Sequence, residues 1–231
     1  MTEPKTNEPL LTFRVEPPAV REALENGSID PTLPVVLCLH GWGMDGDWFA
    51  RLTQGLFEVP ALFVYPTAPK QVKKDDGSTG FSWYDYDGDS TSFVRELAAL
   101  EVRLLEFLKQ FESRHSLEPA SRALVGFSQG GYGGSYVALR NPTVFRALAI
   151  SGARIKDEAL GPELEGAAQA GFRVLACHGN RDPHVSKERA KASIDALAAA
   201  GIETRWEEFD AGHSLGRSQI RLMRDWLRDS L

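Results

Sequence analysis

The sequence predicts an α/β fold with a mostly parallel central sheet flanked by helices, and three observations carry that reading. Short runs of apolar residues recur along the chain, nearly continuous in character, as strands covered on both faces require. Segments with a helical apolar stripe alternate with them, which is the order of a doubly wound sheet. At 231 residues and 42% hydrophobic, the chain can bury a sizeable core within one domain.

The elements follow in order. Residues 1–10 are polar and contain prolines, and are expected to be a disordered, frayed tail ahead of a single domain spanning 11–231. Strands are expected at 34–39, 60–65, 122–127, 146–150, 172–177 and 203–209. Phe93, Leu97, Leu100, Leu104, Phe107 and Phe111 step by four and three and predict one long amphipathic helix. A second helix follows Ser128 and stops at Asn141-Pro142, a third runs from about 186 to 200 before Gly201, and the last carries Ile220, Met223, Trp226 and Leu227. Only residues 151–171 separate the fourth strand from the fifth. That is too short for a helical cap domain, so an open or shallow site is expected. Lys70, Lys73 and Lys74, followed by Asp75-Asp76, read as a solvated loop.

The net charge of −6 and the lack of a basic stripe argue against a nucleic-acid partner. Cys38 and Cys177 each lie in an apolar strand-like run and read as reduced, buried thiols rather than a disulfide framework. The first residues contain no apolar run of the kind a secretory signal needs, and no stretch approaches the ~20 apolar residues that span a bilayer. The expectation is a cytoplasmic protein without stable membrane insertion.

The chemistry concentrates at Gly126-Phe127-Ser128-Gln129-Gly130, directly after Ala123-Leu124-Val125. A strand running into G-x-S-x-G and then a helix is a nucleophile elbow. The motif is short, and the chain holds a second match at Gly212-His213-Ser214-Leu215-Gly216. Order decides between them. A nucleophilic serine on this architecture is followed by an acid and then a histidine. Ser128 is followed by Asp182 and His213, whereas no histidine lies beyond Ser214. Ser128 is therefore the expected nucleophile, His213 the base and Asp182 the acid that orients it, on an α/β-hydrolase fold. The glycines at 126 and 130 suit the tight turn, and those at 131, 133 and 134 suit a close approach of helix to sheet. An oxyanion hole needs two backbone N–H groups. Gln129 supplies one and Trp42, in the loop after the first buried strand, supplies the other. His40 and His178 read as structural, His184 as a loop residue near the rim and His115 as solvated. No cluster has metal-ligand spacing, so neither metal nor cofactor is expected.

These residues resemble the phospholipase/carboxylesterase family, which includes bacterial carboxylesterases and acyl-protein thioesterases. The resemblance rests on Leu39-His40-Gly41-Trp42-Gly43, Pro66-Thr67-Ala68-Pro69, Gly80-Phe81-Ser82-Trp83-Tyr84-Asp85, Gly126-Phe127-Ser128-Gln129-Gly130-Gly131, His178-Gly179 leading to Asp182, and Gly212-His213-Ser214. It implies a cofactor-independent serine esterase with little or no lid, and supports Ser128, Asp182 and His213 with Trp42 and Gln129 in the roles given above. Where the family typically carries leucine this chain has Trp42, whose indole would narrow the acyl pocket or add a stacking wall. Trp83 and Tyr84 are candidates to line that pocket, and the stretch between Pro69 and Gly80 is short and charged where members often build the substrate rim.

The expected activity is hydrolysis of short-to-medium acyl esters of small molecules through an acyl-enzyme. The alternative on the same site is an acylated protein or a lysophospholipid as substrate. A binding protein with a dead site is the rival of another class, and the full Ser-Asp-His set argues against it. A serine peptidase would want an anchor for a peptide terminus, and no such charged anchor is evident.

Overall fold

A computed structural model describes residues 11–231, and the expected frayed tail at residues 1–10 lies outside the described residues. The chain forms β1 (Phe13–Glu16), α1 (Pro18–Glu25), β2 (Val35–Leu39), α2 (Gly46–Leu52), β3 (Leu62–Pro66), β4 (Lys70–Lys73), β5 (Thr79–Ser82), α3 (Ser90–His115), β6 (Arg122–Phe127), α4 (Gln129–Arg140), β7 (Ala147–Ser151), α5 (Glu163–Gln169), β8 (Arg173–Gly179), α6 (Lys187–Ala199), β9 (Glu203–Phe209) and α7 (Arg217–Arg228). Seven strands make one sheet in the order β1-β3-β2-β6-β7-β8-β9. Every pairing in it is parallel except β1 on β3. This is the α/β-hydrolase fold.

The side-chain period of two along the central strands feeds two cores. Val35, Leu37, Leu39, Leu124, Leu148 and Val174 face one cluster, which α3, α4 and α6 cover with Leu97, Val137 and Leu197. Val36, Cys38, Val125, Ala149, Leu175 and Cys177 face the other, covered by Phe49 of α2 and by Met223 and Trp226 of α7. Both cysteines are free and fully buried, and burial pushes the Cys177 thiol up to about 12 and Cys38 higher still.

Helix boundaries follow their caps. The Asp89 carboxylate accepts from the N–H groups of Thr91 and Ser92 at the start of α3, which ends where Ser116 turns left-handed at φ 53°. Ser186 caps α6 by accepting from Arg189 N–H. Helix α4 lies against the sheet at glycine distance. A Cβ on Gly134 would stand 2.5 Å from Leu124 Cδ2, and one on Gly131 would stand 2.8 Å from Ala153 Cβ.

Three local expectations need correction, and one strand is unexpected. The lysine-rich stretch is not a loop: β4 and β5 pair antiparallel, and Lys70 Nζ bonds Asp85 at 2.8 Å and Glu96 at 2.6 Å. Alternating charged and apolar residues suit a two-stranded hairpin with one wet face. Strand β9 is an edge strand of alternating exposure rather than a doubly covered one. His115 is half-buried, its ring 5.0 Å from that of Phe111. Strand β1, unpredicted, adds to the far edge, and its Glu16 is buried against Arg14.

Candidate active site

Ser128 stands between β6 and α4, with φ 51° and ψ −118°. A non-glycine residue at this positive φ is strained, and hydrogen bonds on both sides hold it there. Ser128 N–H donates to the Ser151 carbonyl at 2.9 Å, and its own carbonyl accepts from Tyr132 N–H at 2.9 Å. The turn is tight because Gly126 and Gly131 touch; a Cβ on Gly126 would lie 2.5 Å from Gly131 Cα.

The loops after β8 and β9 bring the partners in. Arg181 N–H donates to the Ala211 carbonyl at 3.0 Å and Asn180 N–H to the Phe209 carbonyl at 2.9 Å, stitching the two loops together. His213 Nδ1 lies 2.7 Å from Asp182 Oδ2 and its Nε2 lies 2.8 Å from Ser128 Oγ. The Asp182 side chain has no exposed surface. Its other oxygen accepts from the N–H groups of His184 at 2.8 Å and Val185 at 3.0 Å. Burial works against ionisation of Asp182, but the Val185 and His184 N–H groups and the His213 ring outweigh it and hold the carboxyl below its usual range. An ionised Asp182 fixes the proton of His213 on Nδ1 and leaves Nε2 free to accept from the Ser128 hydroxyl. The ring is held by Phe127, 5.1 Å away, and by Gly152, where a Cβ would crowd His213 Cε1 at 3.2 Å.

Gln129 opens α4. Its N–H, in the first helical turn, has no intrahelical acceptor. Its side chain does a second job that the sequence did not announce. Oε1 accepts from Trp83 N–H at 3.0 Å, while Nε2 donates to Ser82 Oγ at 2.8 Å and to the Tyr84 carbonyl at 3.0 Å. Gln129 thereby ties the Ser82–Tyr84 segment to the elbow. Trp83 is buried, donates its indole N–H to the His40 carbonyl at 2.8 Å, and takes no part in lining the cavity beside Ser128. Tyr84 does line it. The Trp42 indole is half-exposed and is not among the residues that line that cavity.

The cavity holds about 650 Å³ and opens to solvent without a cap; residues 152–172 form a 3₁₀ turn at Asp157–Ala159 and the short α5. Phe93, Tyr86 and Tyr132 join Tyr84 on its wall, and Arg154, Lys156 and Arg189 supply cationic groups. Phe93 reads from sequence only as part of a core stripe, and no periodicity marks the others. His184 stands at the rim with its ring 5.1 Å from His213. His40 and His178 are buried and bonded to backbone carbonyls of their neighbours. Among the described residues no group of His, Cys, Asp and Glu side chains is placed to hold a metal ion, and no helix is long and apolar enough to cross a membrane.

The chain is similar to known proteins over most of its length. Acyl-protein thioesterase 1 of Gibberella zeae is 27% identical over 213 residues, covering 85% of this chain and 90% of the relative. The crystal structure of esterase PE8 matches with a TM-score of 0.75 at 25% identity, over 96% of this chain and 99% of its own. A Bacillus cereus carboxylesterase matches with a TM-score of 0.76 over 96% of this chain and 95% of its own, and at 15% identity it bears on the fold alone. The model of the phospholipase/carboxylesterase family matches residues 23–231, nearly all of the described chain. The chain therefore belongs to the phospholipase/carboxylesterase family of hydrolases.

Proposed function

We propose that the protein is a serine carboxylesterase that cleaves short-to-medium acyl esters through an acyl-enzyme on Ser128. The observation that carries this reading is the unbroken chain from Ser128 Oγ to His213 Nε2 at 2.8 Å and from His213 Nδ1 to Asp182 Oδ2 at 2.7 Å. Ser128 Oγ attacks the ester carbonyl carbon as His213 Nε2 takes the hydroxyl proton. The tetrahedral oxyanion is met by the N–H groups of Gln129 and Trp42, each worth about 3 to 4 kcal/mol in comparable sites. His213 returns its proton to the departing alkoxide as the carbon–oxygen bond breaks. Water, deprotonated by His213, then attacks the acyl-serine, and the serine oxygen leaves with the proton.

A second reading, cleavage of an acyl thioester on a protein, is favoured by the Gibberella zeae relative. Comparing a palmitoyl thioester with a short oxo-ester separates the two. The primary test is hydrolysis of p-nitrophenyl acetate, butyrate and octanoate. Wild type is expected to turn over, Ser128→Ala to lose ~10³-fold or more in kcat, and Ser214→Ala to stay active. Activity retained by Ser128→Ala, or lost only in Ser214→Ala, would sink the assignment.

A further inference from the structure

The proposed esterase site carries more positive charge than its own carboxylates neutralise. The chain is acidic, with a net charge of −6, yet its active-site cavity is lined by Arg154, Lys156 and Arg189 against one lining carboxylate, Glu158. Asp182 is engaged with His213, and Asp157 lies close to Arg154 and Glu158, where burial raises its pKa and so disfavours its charge. Lys156 is only 7% exposed. Of its three N–H donors, one reaches Glu158 Oε1 at 3.0 Å, and no other hydrogen bond is made to the protein among the described residues. That same Glu158 oxygen is also claimed by Arg154, so two cations share one carboxylate. Arg154 is committed further, its Nε donating to Tyr132 Oη at 3.1 Å. The Lys156 and Arg154 donors hold Glu158, against its burial, down to about 2, so it is ionised at neutral pH and cancels one charge of the two. Arg189, exposed on the first turn of α6, has neither an ion pair nor a side-chain hydrogen bond among the described residues.

A buried ammonium left part-neutralised is costly unless a further anion meets it. Nothing in the proposed hydrolysis needs one, since the oxyanion is met by backbone N–H groups. The neighbouring wall is apolar: Phe93 packs 4.9 Å from Tyr86, 5.2 Å from Tyr132 and 5.3 Å from Tyr84, and Lys156 Nζ sits 5.9 Å from the Phe93 ring centre. A ligand with an apolar body and one anionic end matches this cavity.

Resting on the esterase reading, we propose that the substrate is an ester that itself carries a carboxylate or phosphate, with Lys156 and Arg189 binding that anion and the aromatic wall binding its body. The hydrolysed bond is unchanged; the anion selects which ester enters. Focusing of field by a cationic cleft also raises the encounter rate of such a substrate above that of a neutral one.

The test compares anionic esters with neutral counterparts, each rate being divided by that ester's spontaneous hydrolysis rate in the same buffer. On the alcohol side, 4-acetoxybenzoate and 4-acetoxyphenyl phosphate are set against methyl 4-acetoxybenzoate. On the acid side, the monoanionic mono-p-nitrophenyl ester of octanedioic acid is set against the mixed methyl p-nitrophenyl diester of the same acid. Wild type is expected to favour an anionic member by about tenfold or more in kcat/KM, mainly through KM, because a hydrogen bond to a charged group is worth that factor. The phosphate and carboxylate arms report which anion fits. Raising NaCl from ~20 to ~500 mM should shrink the preference. Lys156→Met should lower the anionic-to-neutral ratio about tenfold and Arg189→Gln about threefold. If Lys156→Met does not fold, Arg189→Gln and the salt series carry the decision. Neutral esters cleaved as well as every anionic one, or a ratio untouched by salt and by the variants, overturns this inference and leaves the esterase intact. No turnover of any ester, charged or neutral, overturns both.

Discussion

His40 is fully buried beside the elbow, its Nδ1 donating to the Gly41 carbonyl at 2.8 Å and its Nε2 accepting from Ala68 N–H at 3.0 Å. Both ring nitrogens are satisfied only in the neutral form, and burial holds its pKa down to about 4. In the unfolded chain the same ring titrates near ~6.5. Between those values the unfolded state binds a proton that the folded state refuses. Stability is therefore complete above the upper value and is lost progressively as pH falls to about 4, by on the order of 3 kcal/mol. His40→Gln keeps a donor and an acceptor without the charge. Urea unfolding at intervals across that window should show a steep fall in wild type and a shallower one in the variant; parallel curves would rule the account out. At this scale the sequence speaks unevenly. Ser128, Asp182 and His213 are legible because chain order and strand-end position constrain them. Lys156 is not, because its burial depends on how the segment after β7 folds back over Phe93, and local sequence does not encode that path.

Helix α4 shows what glycine does at the level of an element. A Cβ on Gly130 would run into the Leu39 and His40 carbonyl oxygens, which are backbone and cannot swing away. Gly130→Ala is expected to push the start of α4 off the sheet, costing about 1 to 3 kcal/mol and carrying the Gln129 N–H and Ser128 out of line. Gly166, in the middle of α5, has nothing within 4 Å of the place a Cβ would occupy. There the same substitution should stabilise by about 0.5 to 1 kcal/mol through helix propensity alone. Thermal melts and esterase rates on the pair check both signs; a stable, active Gly130→Ala would contradict the close-packing account. The run of small residues around Ser128 made this approach legible. The β4–β5 hairpin and β1 were not, since Lys70–Lys73 and Phe13–Glu16 are too short and too charged for a strand to stand out, and their pairing is decided by partners distant in sequence. Continuous apolar runs such as Val35–Leu39 announce themselves because both of their faces are covered.

Across the whole molecule, the two cores are not independent, because alternate residues of the same strands supply both. One face cannot open without withdrawing side chains from the other. That coupling gives the buried thiols a use unrelated to the proposed reaction. Cys38 and Cys177 sit on the same face, in different strands on either side of β6 and β7, with thiols that burial keeps protonated. Only a thiolate attacks a disulfide reagent. With 5,5′-dithiobis(2-nitrobenzoate) in native buffer, both sulfurs should therefore stay silent and then react together, at the rate the whole sheet comes apart; a prompt release of one equivalent would show that the face opens piecemeal. The pair amounts to a clock built into the chain, started by global opening and read by colour without any label.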